Sequence, residues 1–375
     1  MFTQKQEQEN TMTDRMKVYT KVLKTIKGQL RMFHQGHLVT LAMMVTGIVM
    51  SRKAQLSVMS EEIPVDAKDK SIEMRMRRWV KHPGIDVEVS YMPFAQHILA
   101  ALVDAPLILA MDGSQVGRGC MVLMVGVVYR TRLLPLAWVV YKGKKGHTTA
   151  DRHIEVLKKV LPLLPEGAEV VLLGDAEYDT TEMLSWVQTE TSWQYVMRTA
   201  PNLLVQQGSD WYKIGSFEVT HGRLRMIHSI AFTQDAALPA NLVVWWGSEY
   251  EEPIFLVTNL PNASHAAWFY RRRFRIETFF SDQKSRGFHI HKSHLSNPVR
   301  LGRLLLAACL AYIWMVCLGL LTLATGDHKL IDRTDRVDKS IFRLGLDWLK
   351  YSLKKDLPIH VYFRLQLSLS DVNVR

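Results

Sequence analysis

Two aspartates end long apolar runs in this 375-residue chain. Asp112 follows "LILAM" and Asp175 follows "VVLLG", and each run is apolar on both faces, as a strand in the middle of a covered sheet must be. A single aspartate after a strand is most simply a turn or cap residue. Here two of them stand behind buried strands in an element order that reads β-β-β-α-β-α-β, so both converge on one edge of the sheet. With no sulfur or imidazole beside them they offer hard oxygen donors, the set preferred by magnesium or manganese. Two such ions about 4 Å apart can stabilise the attacking and the leaving oxygen of a phosphodiester, and that chemistry calls for a third carboxylate.

Glu277 is the candidate. It lies in "YRRRFRIETFFSDQKSRG", residues 270–287, with five arginines and a lysine around it. At 100° per residue of a continuous helix, Tyr270, Arg273, Glu277 and Lys284 fall within one stripe about 60° wide. Phe269, Ile276 and Phe280 make an adjoining apolar stripe, so burying it on the sheet brings Glu277 to the rim of the core. Arg271, Arg272 and Arg275 point elsewhere, to solvent or to a backbone phosphate.

The elements that must position these residues follow from periodicity. Strands are expected at "LILAMDGS", "CMVLMVGVVYRT" and "LLPLAWVVYKG", as an antiparallel meander. A helix from Asp151, the strand "EVVLLGDAEYD", a helix near 180–191 and the strand "WQYVMRT" complete the order. Residues 203–262 hold four strand-like runs without a clear helix and read as a β insertion. Residues 1–100 are helical and basic. Lys17, Lys21, Lys24, Lys27 and Arg31 recur along one face, Ser71 can cap a helix bearing Arg75, Arg78 and Lys81, and the outline suits a helix-turn-helix only loosely.

Composition bounds the partners. Lys and Arg number 47 against 36 Asp and Glu, a net charge of +11 that favours a polyanion, with nucleic acid and an anionic membrane surface both fitting. Three cysteines without CxxC spacing argue for a reducing cytoplasm and against a zinc site. The polar N-terminal stretch "MFTQKQEQENTMTDRMKVYT" has no signal-like apolar segment. Leu304–Thr325 runs 22 residues without a charge, directly after Arg300 and Arg303. It is long enough to cross a bilayer or to form a buried core helix.

The spacing Tyr-x2-Arg-x3-Glu-x6-Lys at residues 270–284 resembles the Y-R-E-K signature of bacterial insertion-sequence transposases of the DDE type, whose catalytic core is RNase H-like. The resemblance extends over about residues 107–325. It implies an α/β fold: an RNase H-like mixed sheet flanked by helices, with a β-rich insertion and an N-terminal helical DNA-binding domain. The expected divisions are 1–100 for DNA binding, 101–202 and 263–325 for the core, 203–262 for the insertion and 326–375 for a C-terminal helical region, a candidate dimerisation element. By the same resemblance Asp112, Asp175 and Glu277 are expected to hold Mg2+ (or Mn2+), two ions in all, and Tyr270, Arg273 and Lys284 to hold phosphates of the transposon end. An aromatic of the insertion, with Trp211, Trp245 and Trp246 as candidates, stacks a flipped base. In that core the apolar segment is a helix covering the sheet, with no membrane.

The family pattern has a small residue and an aromatic after the second aspartate. Here "DAEYD" keeps the aromatic as Tyr178 but places Glu177 at the small position, and Glu177 and Asp179 become rival carboxylates. Asp175 ranks first because it directly follows the buried strand. The implied activity is metal-dependent cleavage at element ends and strand transfer into target DNA, by a homodimer on double-stranded DNA (terminal inverted repeats and target) in a bacterial cytoplasm, nucleoid-associated. The alternatives are another RNase H-like nuclease or a decayed DNA-binding protein.

Overall fold

The computed structural model describes residues 13–31, 33–102 and 105–365. The readings of the extreme N-terminal stretch and of 366–375 lie outside the described residues. Five helices come first: α1 (Asp14–Gln29), α2 (Gln35–Ser51), α3 (Leu56–Ser60), α4 (Asp69–Lys81) and α5 (Val87–Ala100). Then follow β1 (Leu107–Gly117), β2 (Cys120–Tyr129), β3 (Arg132–Lys142), α6 (Ala150–Val160), β4 (Val170–Gly174), α7 (Thr181–Glu190) and β5 (Gln194–Thr199). The insertion supplies β6 (Leu204–Gln207), β7 (Asp210–Lys213), β8 (Leu224–Phe232), β9 (Leu238–Trp245) and β10 (Ile254–Thr258). Four helices end the chain: α8 (Ala263–Tyr270), α9 (Arg275–Gln283), α10 (Pro298–Ala324) and α11 (Ile341–Lys354).

All ten strands form one sheet in the order β3-β2-β1-β4-β5-β10-β9-β8-β6-β7. The first five give the expected RNase H-like mixed core. β1 pairs parallel with β4 and β4 parallel with β5, while β2 and β3 are antiparallel. The insertion extends this sheet from β5 onward, beginning with the antiparallel β10. Parallel strands need both faces covered. β4 is accordingly buried along its whole length, and α6 packs its buried face, His153, Val156, Leu157 and Val160, on β2 and β3. A register shift at Val125/Gly126 marks a bulge, where a Cβ on Gly126 would collide with Leu133 and the Leu134 carbonyl.

The described chain clusters into two compact units. One comprises Met1–His97, Val116–Arg118 and Ser281–Arg375, the other Ile98–Gln115 and Gly119–Phe280. The first is helical and is built around α10. This is the 22-residue uncharged segment, and it packs chiefly on α11, α2 and α4, where the sequence reading expected the sheet. It is long and apolar enough to cross a membrane, yet 94% of its most apolar window is buried. Arg303, read from sequence as a flanking charge, is buried: Nε donates to the Ile85 carbonyl at 2.9 Å and Nη1 to that of Val80 at 3.0 Å. It therefore satisfies the carbonyl at the end of α4 that no helical N–H reaches.

Ser71 is not the cap of α4. The helix begins two residues earlier at Asp69, whose charge sits in the first turn, and the N-cap position is Lys68. The basic stripes are also partly engaged: Lys17 pairs with Asp356, and Arg75 donates to the Thr40 hydroxyl at 2.9 Å.

α10 and α11 cross at two glycines. A Cβ on Gly319 would strike the Ile341 carbonyl, and one on Gly345 that of Met315. Backbone this close has no room for a methyl group, so Gly319→Ala and Gly345→Ala are each expected to cost about 1–3 kcal/mol or more. Thermal unfolding monitored by circular dichroism measures it, against Gly28→Ala as a control, where an added Cβ meets nothing within 4 Å.

Candidate active site

The register of β1 on β4 sets the site. Leu107 pairs with Val170, Ile108 with Val171, Leu109 with Leu172 and Ala110 with Leu173, a constant offset of 63 residues. Since 112 + 63 = 175, the same offset carried two residues on places Asp112 level with Asp175. Adjacent strands lie about 4.8 Å apart, so the two carboxylates are neighbours on one face. Asp112 does not end its strand, as the apolar run suggested. β1 continues to Gly117, and it is β4 that stops at Gly174.

Asp112 is held from below. Its Oδ1 accepts the Gly113 N–H at 2.7 Å and the Tyr178 hydroxyl at 3.3 Å. Tyr178 is fully buried, and burial, followed by the nearby Asp112, keeps its phenol protonated and able to donate. Its ring occupies space left by glycines: a Cβ on Gly174 would lie 2.9 Å from the Tyr178 Cβ, and one on Gly113 3.1 Å from its hydroxyl. The His153 ring closes the pocket edge-on at 4.9 Å, and neither of its nitrogens has a hydrogen-bond partner. Burial pushes His153 down to about 4, so it is a neutral wall. These supporting roles of Tyr178 and His153 left no signal in sequence beyond an aromatic after Asp175 and one histidine on the buried face of α6.

Burial raises Asp112 to about 6, opposed by the Gly113 N–H, Arg273 and Lys145 and reinforced by Asp175. Asp175 accepts the N–H of Ala176 at 2.8 Å, and its carbonyl accepts that of Tyr178 at 2.9 Å, closing the turn. Of the rival carboxylates, Asp179 is half-buried and pushed up to about 6, by burial first, with Thr199 of β5 opposing the rise. Glu177 is half-exposed and acts on Tyr178 through its charge. Lys145, an exposed residue of the loop after β3, adds positive potential at Asp112 that sequence reasoning missed.

The segment bearing Glu277 is not one helix. α8 ends at Tyr270 and α9 starts at Arg275. Between them N–H groups reach carbonyls three residues back, Arg272 to Phe269, Arg273 to Tyr270, Arg275 to Arg272, Ile276 to Arg273 and Glu277 to Phe274. These are tightened turns of the 3₁₀ kind, in which every third residue eclipses. The helical wheel therefore does not apply across the break, but the tight turns still bring Tyr270, Arg273 and Glu277 together. Arg273 donates to Glu277 Oε1 at 2.8 Å, lies 3.8 Å from Asp175 Oδ2 and stands 5.8 Å over the ring of buried Tyr270. Burial opposes the Arg273 charge, yet Tyr270, Asp175, Glu277 and Asp112 together raise its pKa. Ile276, Phe279 and Phe280 are the buried anchors of α9.

Lys284 follows α9 and belongs to the helical unit. Arg271 does not face solvent alone: it pairs with Glu249 at 3.0 Å and covers the Trp245 ring at 4.8 Å. Trp245 is itself only 3% exposed, with Tyr250 edge-on, so its ring has no free face for a base. Trp211 is half-exposed on the edge strand β7, and Trp246 donates to the Tyr250 carbonyl. The most exposed tryptophan is Trp268 at 48%, with Arg272 stacked 3.2 Å over its ring. It was not singled out from sequence, where only the insertion was searched for an aromatic.

Among the described residues no group of three His, Cys, Asp or Glu side chains is gathered so as to hold a metal ion. The donor chemistry of Asp112, Asp175 and Glu277 nevertheless fits a hard divalent cation, being oxygen throughout. In this geometry the cation among them is the Arg273 guanidinium.

A family described as "Transposase DDE domain" matches residues 97–314, which is 218 of the 375 residues. A solved piggyBac transposase synaptic complex with hairpin DNA is similar over 94% of this chain and 84% of that chain, at 10% identity and a TM-score of 0.47. No curated protein matches the sequence.

Two outcomes test the electrostatics without any assay of activity. The folded state holds the Asp112 proton more tightly than the unfolded chain, so its contribution to stability is full below about pH 4 and is lost as pH rises through about 6. In chelator near pH 8, Asp112→Asn should therefore stabilise the protein by about 1–3 kcal/mol. Arg273→Gln should destabilise it by a similar ~1–3 kcal/mol by removing the shared cation. Calorimetric melting measures both, and a fall in melting temperature for Asp112→Asn would contradict the burial cost.

Proposed function

We propose, from the premise that this chain belongs to the transposase DDE domain family, that Asp112, Asp175 and Glu277 are its catalytic carboxylates and act on the phosphodiesters of transposon ends. The observation that carries this reading is their convergence on one cation. The register of β1 on β4 carries Asp112 level with Asp175, just past the end of β4, and Arg273 joins Asp175 to Glu277. The Y-R-E-K spacing supports an insertion-sequence type of element.

Two magnesium or manganese ions held by the three carboxylates would supply Lewis-acid stabilisation of the attacking and leaving oxygens. The chain's own residues do the rest. Tyr178 and the Gly113 N–H hold one oxygen of Asp112, fixing the carboxylate's orientation. Arg273, charged and largely buried beside Asp175 and Glu277, is placed to hold a DNA phosphate next to the carboxylates and to offset negative charge there. Tyr270 stiffens that guanidinium by lying beneath it. Lys284 and Trp211 contribute further contacts to the transposon end. Cleavage at the terminal inverted repeats frees a 3' hydroxyl that joins to target DNA at the same carboxylates. The protein works as a dimer on two DNA ends in a bacterial cytoplasm, nucleoid-associated.

The test uses duplexes taken from the DNA that flanks the gene, incubated with protein and magnesium and resolved on denaturing gels. Wild type should give cleaved and joined products. Glu277→Gln should lose at least about 100-fold in rate, more than the ~10–100-fold typical of a residue that only supports a ligand, while binding the same duplex. Cleavage without joining under every condition would favour a nuclease, and unchanged behaviour of Asp112→Asn would favour a protein that only binds DNA. Added magnesium should raise the melting temperature of wild type and leave that of Asp112→Asn unmoved.

A further inference from the structure

The segment that follows α9 carries a separate concentration of charge. "KSRGFHIHKSHL", from Lys284 to Leu295, contains Lys284, Arg286, His289, His291, Lys292 and His294 and no carboxylate. It is an anchored segment. Phe288 and Ile290 are fully buried, alternating with the half-exposed His289 and His291. The Ala54 N–H donates to the Phe288 carbonyl at 2.7 Å, and Gln55 Nε2 lies 2.7 Å from the Lys292 carbonyl and 3.0 Å from His294 Nε2. The Arg118 N–H donates to the Leu295 carbonyl at 3.1 Å. Gly287 is required, because a Cβ there would collide with the Asp282 carbonyl and the Phe342 ring.

Two histidines, His289 (φ 50°) and His294 (φ 61°), hold left-handed backbone. That conformation is unfavourable in a residue with a Cβ and persists where surrounding contacts impose it. What the fold gains is a fixed array of two lysines and two imidazoles from two segments. Burial first, then Lys292 and Lys53, depress His289. Burial, then His289, Lys292 and Lys284, depress His291, whose ring lies 6.0 Å from that of His289. Among the described residues neither Lys53 nor Lys292 has an ion-pair partner, and both are exposed. Like charges gathered on rigid backbone without a carboxylate attract a polyanion. No large exposed apolar side chain lies between Lys284 and Leu295, so the surface lacks what insertion into a lipid interface needs.

We infer that Lys53, Lys292, His289 and His291 form a contact surface for the DNA phosphate backbone on the helical unit, one that reads charge and not sequence. It deepens the transposase reading and rests on it. Each phosphate neutralised by a protein cation releases counterions and steepens the salt dependence of binding by about 0.9 in log–log slope.

The experiment measures fluorescence anisotropy of a blunt, random-sequence DNA duplex against full-length protein over a series of KCl concentrations. Lys53→Gln/Lys292→Gln should bind several-fold more weakly than wild type, with a slope shallower by roughly 1.8, the share of two phosphates. Its melting temperature should be unchanged, and Lys53→Arg/Lys292→Arg should restore the slope. His289→Gln/His291→Gln gives an independent second variant, expected to weaken binding more at low pH than at high. A double lysine variant that folds and keeps the wild-type slope overturns the surface while leaving the carboxylate site standing. Loss of binding to anionic phosphatidylserine vesicles with no change on DNA also overturns it. Failure of wild type to bind any duplex would instead overturn the transposase reading.

Discussion

Three carboxylates can share one corner of a sheet only if something positive stands among them, and here that is Arg273. The alternative would be protonation, which burial already favours at Asp112, raised to about 6. Arg273 contacts Glu277 and Asp175 directly and lowers Asp112 through space. Its position depends on the break between α8 and α9, since the tight turns of 271–274 place residue 273 beside residue 277 with Tyr270 at its flank. The break is in turn anchored on both sides by apolar burial, Ala266, Ala267 and Tyr270 before it and Ile276, Phe279 and Phe280 after it.

That chain of dependence explains which parts were legible in the sequence. Apolar runs made β1 and β4 legible because a covered parallel strand needs hydrophobic residues on both faces, and Asp175 stood out as the first polar residue after such a run. The offset of 63 residues between the aspartates was visible as a number, but its meaning as a register appears only once β1 and β4 are known to be neighbours. The helix break was not legible, because "YRRRFRIETFF" contains no glycine or proline to announce it and its 3₁₀ turns are imposed by tertiary packing. The cluster survived the wrong geometry because the long Arg273 side chain still reaches Glu277 Oε1 across the tightened turns, at 2.8 Å.

The tryptophans and the apolar helix show a different limit. Composition cannot tell an exposed aromatic from a buried one, and Trp245 is buried beneath Arg271 while Trp268, outside the insertion, is exposed. Leu304–Thr325 passes every test of length and apolarity for a membrane helix, and only its neighbours distinguish it as the core of a helical unit. Arg303 carries the same lesson. A cation beside an apolar stretch reads as a membrane flank, whereas two carbonyl partners and burial make it a helix-end ligand.

Glu177 stands where the resembled family has a small residue, and the geometry indicates how the site accommodates it. In the turn that closes on the Asp175 carbonyl, Ala176 is exposed and Glu177 half-exposed, so neither side chain needs room in the core. The residue that does is Tyr178, and its room comes from Gly113 and Gly174 on two different strands, not from its immediate neighbours. A substitution at 177 therefore leaves the phenol, its hydrogen bond to Asp112 and the His153 wall in place. A decayed site would relax first at positions where nothing but function demands the residue. Here the two glycines, the tyrosine, the unpartnered histidine and Asp112 remain mutually fitted, at a burial cost to the carboxylate that a purely structural corner could shed by losing its charge.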